Sequence, residues 1–376
     1  MSTIGPRRSA GLEIAFFGSS LVSAYWNGAA TYYRGIIKAL HERGHRVTFY
    51  EPDAYERQQH RDMADPPWAR VVVYKPTEVE VLRQVEAARD ADVLVKASGV
   101  GVHDALLERA VLERASGATT TVFWDVDAPA TLASMEGDAR SQLRQLIPRY
   151  DMVLTYGGGE PVVRRYTALG AGVCVPIYNA LDPDTHYPTV RDARYECDLA
   201  FLGNRLPDRE ARVEEFFLRA ADLLPDRRFL LGGSGWDDKP LPDNVRYIGH
   251  VYTADHNAFN STPLAVLNIS RESMASTGYS PATRLFEAAG ARACIVTDAW
   301  EGIDQFLEPG EEVLVAHDAG DVVEQLGALD RSTAEAIGQR ARRRVLAEHT
   351  YERRAAQVEE ALAGARTTPE RSALRA

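Results

Sequence analysis

The chain has 376 residues, of which 45% are hydrophobic and 26% are charged, and its formal net charge is −11. This composition is typical of a globular protein with two or three domains, and it excludes a disordered, collagen-like or disulfide-stapled chain. Because binding to a phosphate backbone needs a basic surface, the acidic balance argues against nucleic acid as a partner.

The cysteines, Cys174, Cys197 and Cys294, are too few and too widely spaced for a disulfide framework or a structural zinc site. No run of about 18 apolar residues could span a membrane, and residues 1–11 lack the apolar core of a signal peptide. The sequence therefore predicts a protein of the reducing cytoplasm without a transmembrane segment.

The first half of the chain alternates short apolar runs with segments of helical period. Strands are predicted at 12–17, 47–50, 71–74, 93–96, 120–124 and 152–156, with helices at 31–43, 78–89 and 104–115. Strands separated by helices of this length are typical of a parallel, doubly wound sheet. The alternation predicts an α/β, Rossmann-like domain over 1–190.

A stretch rich in Asp, Pro and Arg at 181–196 is predicted as a linker, and the pattern then restarts. Strands are predicted at 197–202, 228–231, 245–248, 264–268, 294–297 and 312–316, with helices at 210–224, 281–289, 319–329 and 333–363. The prediction is a second Rossmann-like domain over 191–330, a C-terminal helix over 331–364, and a frayed tail over 365–376. A ligand is expected in a cleft where the carboxyl ends of both sheets face each other.

The first two strands end where NAD-binding domains carry a glycine fingerprint and a ribose-binding acid. Ser19 and Ser20 replace the glycines that a close pyrophosphate needs, although Glu51 stands at the place of the acid. A nicotinamide cofactor is therefore not expected. The long loop that follows contains Asn27 and Gly28, and it is either a helix-capping turn or a substrate-facing loop.

Two further side chains of the first domain are candidates for catalysis. His103 follows the glycine-rich end of the fourth strand, where it can act as a base or hydroxyl ligand, or simply begin the next helix. Asp127 ends an Asp125-Val126-Asp127 string, which by itself offers too few oxygen ligands for a metal. No metal site is expected, and Asp127 stays a candidate carboxylate.

In the second domain, Ser280 is predicted to cap a helix that begins at Pro281. The free N–H groups of such a helix start, together with the hydroxyls of Ser280 and Thr283, suit a diphosphate. Arg284 and Glu287 follow on the next turns. They can form a surface ion pair, or Glu287 can hold sugar or ribose hydroxyls.

Two arginines follow the first strand of the second domain. Arg205 and Arg209 come after Gly203 and Asn204, and they can clamp a diphosphate in place of a metal or be ordinary solvated side chains. Because this segment and the helix start after Ser280 follow strands of the same sheet, together they favour a nucleotide-diphosphate site.

The second half resembles the nucleotide-sugar domain of GT-B glycosyltransferases, in particular the CgeB-like (spore-maturation) branch. The matching segments are 203–205, 232–236, 247–251, 284–290 and 296–312, and in the first half 26–34 and 127–129. The resemblance covers about 12–329. It implies the GT-B fold, in which two Rossmann-like domains face each other across a cleft, with a C-terminal domain like that of the glycosyl transferases of group 1. It also implies that the C-terminal helix over 331–364 crosses back to the first domain.

The activity that the resemblance implies is metal-independent sugar transfer by an enzyme of the hexosyltransferase class. The donor would be a nucleotide-diphosphate sugar, with UDP or dTDP favoured, and the acceptor a small molecule, natural product or glycan, with no bound cofactor. The alternatives are a nucleotide-sugar epimerase or hydrolase of the same fold and a catalytically silent nucleotide-binding protein.

The resemblance also implies roles for residues. The predicted donor-binding residues are Gly203, Asn204, Arg205, Arg209, Gly233, Trp236, His250, Val251, Ser280, Thr283, Arg284 and Glu287. Glu287 matches the second glutamate of an E-x₇-E pattern and would hold the ribose, while Tyr279 stands at the first position. Ser19, Asn27 and Gly28 are placed on the acceptor or sugar side, with His103 and Asp127 as catalytic candidates.

Overall fold

The computed structural model describes residues 11–25 and 27–366. Trp26 and most of the predicted tail, 367–376, lie outside the described residues, as do residues 1–10. The chain divides into two compact units, the first formed by 1–177 together with 354–376 and the second by 178–353. The boundary falls before the predicted one at 190, because the segment predicted as a linker packs within the second unit, where Leu181 and Tyr195 are buried.

The described part of the first unit contains a seven-stranded sheet whose paired strands all run parallel. The strands are β1 (Glu13–Phe17), β2 (Arg46–Pro52), β3 (Arg70–Tyr74), β4 (Val93–Ala97), β5 (Thr120–Asp125), β6 (Met152–Thr155) and β7 (Cys174–Pro176). Their order is β3-β2-β1-β4-β5-β6-β7. The central strands are buried on both faces, which is why they read as continuous apolar runs.

Helices connect these strands. They are α1 (Ala30–Glu42), α2 (Glu78–Ala88), α3 (Asp104–Arg114), α4 (Ala128–Gly137), α5 (Gln142–Leu146) and α6 (Gly159–Ala168). Since every strand runs in the same direction, the loops that follow β1, β2, β4 and β5 all lie at one edge of the sheet.

The described part of the second unit contains a six-stranded parallel sheet in the order β10-β9-β8-β11-β12-β13. Its strands are β8 (Leu199–Leu202), β9 (Phe229–Gly232), β10 (Val245–Tyr247), β11 (Ala265–Asn268), β12 (Ile295–Asp298) and β13 (Leu314–Ala316). Its helices are α7 (Pro207–Val213), α8 (Arg219–Leu223), α9 (His256–Ser261), α10 (Glu272–Thr277), α11 (Thr283–Gly290), α12 (Ala319–Ala328) and α13 (Arg331–Glu348). A π-helical turn, Glu214–Leu218, joins α7 to α8.

The prediction of a single C-terminal helix over 333–363 is wrong, because the chain forms α13 and then a separate helix α14 (Tyr351–Arg366). The break lies at Thr350, which forms a parallel bridge with Leu181. The backbone N–H of Leu181 donates to His349 O at 2.8 Å, and that of Tyr351 donates to Leu181 O at 3.1 Å. A β-type bridge needs extended backbone, which a continuous helix cannot supply.

Within the first unit, α14 is fixed by Glu359, which accepts hydrogen bonds from Arg43 at 2.6 Å and pairs with His45 Nε2 at 2.9 Å. All three cysteines are free thiols. Among the described residues, no helix combines the length and the apolar character needed to cross a membrane.

Candidate functional site

The loops at the carboxyl ends of β8 and β9 are joined by hydrogen bonds. Trp236 Nε1 donates to Gly203 O at 2.8 Å, and Arg205 N donates to Ser234 O at 2.9 Å. The Asn204 side chain accepts from Ser234 N at 2.9 Å. The Trp236 ring is buried in the apolar core of this unit, so it holds the Gly203 loop in place rather than presenting a face to a ligand.

Two glycines allow these loops to approach so closely. Gly233 has a φ of +118°, and a Cβ there would lie 2.2 Å from Gly203 O. A Cβ on Gly203 would lie 2.8 Å from Arg209 Nη2. Glycine at 203 therefore lets the Arg209 guanidinium lie directly against the loop backbone.

Arg209 forms no ion pair among the described residues, although the charges of Asp208 and Asp298 favour its protonated form. Its guanidinium donates to Asn204 O and lies over the Phe201 ring, with Cζ 5.7 Å from the centroid. Its Nε is buried without a hydrogen-bond partner among the described residues, and the same is true of Arg284 Nη1. Burial, followed by the nearby charge of Arg284, lowers the pKa of Arg209 to about 10. Two cations held together with unused donors favour an anionic ligand.

Arg205, predicted as the partner of Arg209, binds acids of its own unit instead. Its guanidinium donates to Glu210 at 2.7 Å and to Asp238 at 2.8 Å. Hydrogen bonds from Arg205 and Lys239 lower the pKa of Glu210 to about 2. The charge of Arg205 is thus balanced, and the structure places Arg284 beside Arg209.

Helix α11 begins later than the sequence suggests. Its N-cap is Ala282, so the prediction that Ser280 caps a helix starting at Pro281 is wrong. Ser280 Oγ is buried and donates to Gly278 O at 2.9 Å. Gly278 and Tyr279 have φ values of +74° and +48°, and this left-handed turn delays the start of the helix.

Thr283 lies at the first turn of α11, where predicted, but its hydroxyl is used within the protein. Thr283 Oγ1 donates to Asn179 Oδ1 at 2.9 Å, and Asn179 Nδ2 donates to Pro281 O at 3.2 Å. Asn179 is buried and precedes the second unit's sheet by many residues, so no local sequence signal marks it. The pair fixes the start of α11, whose first backbone N–H groups have no acceptor within the helix.

Glu287 is buried two turns into α11, near the arginine pair. Its Oε2 lies 3.8 Å from Arg284 Nη1 and its Oε1 lies 3.7 Å from His186 Nε2. No described residue donates a hydrogen bond to this carboxylate. Burial acts to raise the pKa of Glu287, but the positive charges of His186, Arg284 and His256 outweigh it and lower the pKa. The result is an ionised, buried carboxylate that can accept hydrogen bonds from a ligand.

Two histidines beside Glu287 were not among the predicted residues. His186 and His256 bring nitrogen atoms close to the Glu287 carboxylate, with the three ligand atoms within 4.8 Å of one another. The predicted His250 is exposed and contacts the Tyr252 ring instead, with centroids 4.7 Å apart. Val251 is buried, and its carbonyl accepts from His256 Nε2 at 3.2 Å. Because these positions are remote in sequence, spacing could not identify the cluster.

In the first unit, the residues predicted on the acceptor or sugar side build the loop after β1. Ser19 Oγ donates to Asn27 Oδ1 at 2.9 Å, and Asn27 Nδ2 donates to Ser20 O at 2.8 Å and to Ser23 O at 3.0 Å. A Cβ on Gly28 would meet no atom within 4 Å. Asn27 therefore orders the loop, and the open space lies at Gly28.

The two catalytic candidates follow adjacent strands of the first unit. His103 has a left-handed backbone, with φ +52°, and its Nε2 lies 3.1 Å from Pro76 O. Asp127 occupies the N-cap position of α4, after β5. Asp125 is fully buried and accepts from Ser98, Thr131, Tyr166 and the Asp127 N–H, so it supports the strand end.

The comparisons with known proteins agree with this architecture. Residues 209–360 match the family model described as glycosyl transferase-like. The structure is similar to sucrose-phosphate synthase from Thermosynechococcus elongatus, with a TM-score of 0.70 and 15% identity over 93% of this chain and 98% of that chain. The chain has the GT-B fold. The predicted fold class is thus confirmed, and the chain carries a glycosyltransferase domain.

Two further structures with the GT-B fold are similar over their whole length. Anabaena HepE, solved in complex with UDP and glucose, has a TM-score of 0.65 and 14% identity over 94% of this chain and 99% of that chain. AviGT4, a glycosyltransferase involved in avilamycin A biosynthesis, has a TM-score of 0.60 and 17% identity over 94% of this chain and 98% of that chain. No curated protein has a sequence that matches this one.

Proposed function

We propose that the chain transfers a sugar from a nucleoside-diphosphate sugar, with UDP or dTDP as the nucleotide, and that its second unit binds this donor. The observation that carries the proposal is one cluster of unused polar groups. Arg209 and Arg284 have buried donors without partners, and the carboxylate of Glu287, a residue only 7% exposed, receives no hydrogen bond from a described residue. A diphosphate next to a ribose presents the complementary groups, namely anionic oxygens and hydroxyls.

We propose that the diphosphate binds to Arg209, Arg284 and the start of α11. Each arginine adds charge-assisted hydrogen bonds, and the N-terminal end of a helix carries a partial positive charge and free N–H groups. A bound diphosphate would also relieve the repulsion between the arginines that lowers the pKa of Arg209. No metal is needed to neutralise the donor, so we propose metal-independent transfer.

We propose that the ribose of the donor binds to the Glu287 carboxylate. Its carboxylate lies in the second turn of α11, within one turn of Arg284. Two sugar hydroxyls can donate to its oxygens, each in a hydrogen bond to a charged group worth about 1.5–3 kcal/mol. This arrangement agrees with the resemblance of 284–290 to the CgeB-like branch, to which we assign the chain as part of the same proposal.

In the reaction, the bond between the anomeric carbon and the diphosphate oxygen breaks while a bond to the acceptor oxygen forms. The electron pair leaves with the diphosphate, where Arg209 and Arg284 stabilise the developing negative charge. The proton of the acceptor hydroxyl passes to a base, for which the first unit offers His103 or Asp127. We propose a small molecule, natural product or glycan as the acceptor and the cytoplasm as the location, which the free cysteines support.

The test combines nucleotide binding with turnover. Thermal unfolding is measured with UDP, dTDP, GDP, ADP and NAD, and a ligand present at 100 times its Kd stabilises the native state by about 2.7 kcal/mol. We expect UDP or dTDP to raise the Tm and NAD to leave it unchanged. A shift with NAD alone contradicts the proposal.

Turnover separates the proposal from its alternatives. The full chain is incubated with a UDP-sugar, with and without a pool of candidate acceptors, and released UDP is measured. Release that depends on acceptors supports a transferase. Equal release without any acceptor indicates a hydrolase, conversion of the sugar without release an epimerase, and binding without turnover a silent nucleotide-binding protein.

A further inference from the structure

The His186, His256 and Glu287 side chains form a cluster that nucleotide binding by itself does not explain. Their three ligand atoms lie within 4.8 Å of one another, and His186 and Glu287 are each only 7% exposed. His186 Nε2 and Glu287 Oε1 are 3.7 Å apart, too far for a hydrogen bond. Ligands of a tetrahedral zinc ion lie about 3.3 Å from one another, so a small contraction of the cluster would suffice.

The hydrogen bonds around the histidines show which nitrogens keep a lone pair for a ligand. Val251 O can only accept, so the contact at 3.2 Å assigns the proton to His256 Nε2 and leaves a lone pair on Nδ1.

His186 is fixed in the same way. Thr185 Oγ1 donates its proton to Asp182 O at 3.1 Å, so it must accept from His186 Nδ1, which lies 2.9 Å away. The lone pair of neutral His186 is then on Nε2, facing Glu287. In this state two imidazole lone pairs and a carboxylate converge with no donor between them, and a single divalent cation would satisfy all three at once.

We propose that His186, His256 and Glu287 bind a zinc ion. Two imidazole nitrogens and one carboxylate are a zinc ligand set that leaves a fourth position for water. Val251 O and Thr185 Oγ1 are the outer partners that orient the two rings, as zinc-binding histidines require. Glu287 binds through Oε1, since Oε2 faces Arg284.

One consequence rests on the proposed function. Zinc and the donor ribose both need the Glu287 carboxylate, so each ligand excludes the other, and zinc inhibits transfer rather than assisting it. The reciprocity of linked binding requires that the donor weaken zinc binding by the same factor as zinc weakens donor binding.

Metal binding is measured directly on the full chain, without reference to activity. Zn²⁺ is titrated into metal-free protein by calorimetry, and Co²⁺ serves as a spectroscopic probe of geometry. We expect one equivalent per chain and the intense visible bands of tetrahedral cobalt. The substitutions His186→Ala and His256→Ala each abolish or weaken binding by more than about tenfold, while His317→Ala, which removes an exposed histidine of the same unit, does not.

Thr185→Val provides a variant outside the ligand set, in case an alanine variant fails to fold. Losing this outer partner should weaken Zn²⁺ binding about tenfold or more. Absence of saturable Zn²⁺ binding, an octahedral cobalt spectrum, or equal affinities in wild type and Thr185→Val overturns the proposal.

Competition is tested by measuring the Kd of UDP with and without Zn²⁺. The UDP Kd should rise with Zn²⁺ in wild type and not in His256→Ala, which also controls for chelation of zinc by UDP in solution. Zinc binding without UDP binding contradicts the proposed function alone. UDP binding that Zn²⁺ affects equally in both proteins contradicts the exclusion of one ligand by the other.

Discussion

Each unit buries one glutamate near the carboxyl ends of its strands, but the two carboxylates have opposite surroundings. In the first unit, Glu51 accepts from Leu21 N at 2.6 Å, Ser20 Oγ at 3.0 Å and Gln58 Nε2 at 2.5 Å. In the second unit, Glu287 has no described hydrogen-bond donor and lies 3.7 Å and 3.8 Å from its nearest cations. The Glu51 carboxylate receives its hydrogen bonds from its own chain, and the Glu287 carboxylate does not.

The difference separates a structural carboxylate from a binding one. A buried acceptor that the protein already satisfies has nothing left for a ligand, whereas a carboxylate without donors keeps lone pairs that a ligand can use. In the sequence, Glu51 stands at the place of a ribose-binding acid of a dinucleotide site, and the resemblance to GT-B glycosyltransferases points to Glu287. The hydrogen bonds favour Glu287, and they also argue against a dinucleotide at β1 and β2.

The largest effect that separates the two residues is on activity. Glu287→Ala should lower kcat/KM about 10³-fold, because two hydrogen bonds between the ribose and a charged group are lost. The Tm should fall less than in Glu51→Ala, since Glu287 has ionic contacts at 3.7 Å and 3.8 Å but no described hydrogen-bond donor. Steady-state kinetics and thermal unfolding of the same preparation check both parts, and a destabilised but fully active variant would contradict the assignment.

Glu51→Ala should behave in the opposite way. Removal of the carboxylate leaves the Leu21 N–H and the Gln58 amide without their acceptor, and we expect a loss of about 3 kcal/mol in the free energy of unfolding. The Kd of UDP for the remaining folded protein should be unchanged. Urea denaturation and calorimetric titration measure the two quantities, with Glu51→Gln as the milder control.

Acidification should weaken the second unit through His256. Its folded pKa of about 4 lies below the ordinary value of 6.5, so the unfolded chain binds more protons between these pH values. The stability of the metal-free protein is therefore full above pH 6.5 and falls as the pH drops toward about 4, by about 3 kcal/mol. Hydrogen exchange of α11 amides measures this loss, and His256→Gln should remove its part of the pH dependence.

Arg209→Ala should raise the Kd of UDP about tenfold, since one charge-assisted contact is lost while Arg284 remains. The variant should stay folded, because the buried Nε that it removes has no partner among the described residues. Arg209→Lys retains the charge but not the fixed geometry of the guanidinium, and it should restore only part of the affinity.

The smallest effect is expected at Arg205. Its charge is already balanced by Glu210 and Asp238, so Arg205→Ala should change the Kd of UDP less than about threefold. An effect equal to that of Arg209→Ala would instead restore Arg205 and Arg209 as the pair that binds the diphosphate. The two variants form a matched test, since both remove an arginine from the segment that follows β8.

The sequence by itself determined the architecture. Buried strands of a parallel sheet read as apolar runs, and twelve of the thirteen strands in the described residues overlap a predicted one. The exception is β7, a short edge strand of three residues that ends in Pro176. Such a strand carries too little apolar pattern to be recognised. Helices α4, α5, α6, α9 and α10 were missed as well.

Only the tertiary structure decided which polar residues meet. Asn179, His186 and His256 reach α11 from distant parts of the chain, and no spacing rule connects them to Glu287. The break between α13 and α14 likewise depends on Leu181, far away in sequence. Local patterns follow from short-range sterics and burial, which a sequence displays directly. The satisfaction of a buried charge depends on neighbours brought together by folding, and a sequence does not display those.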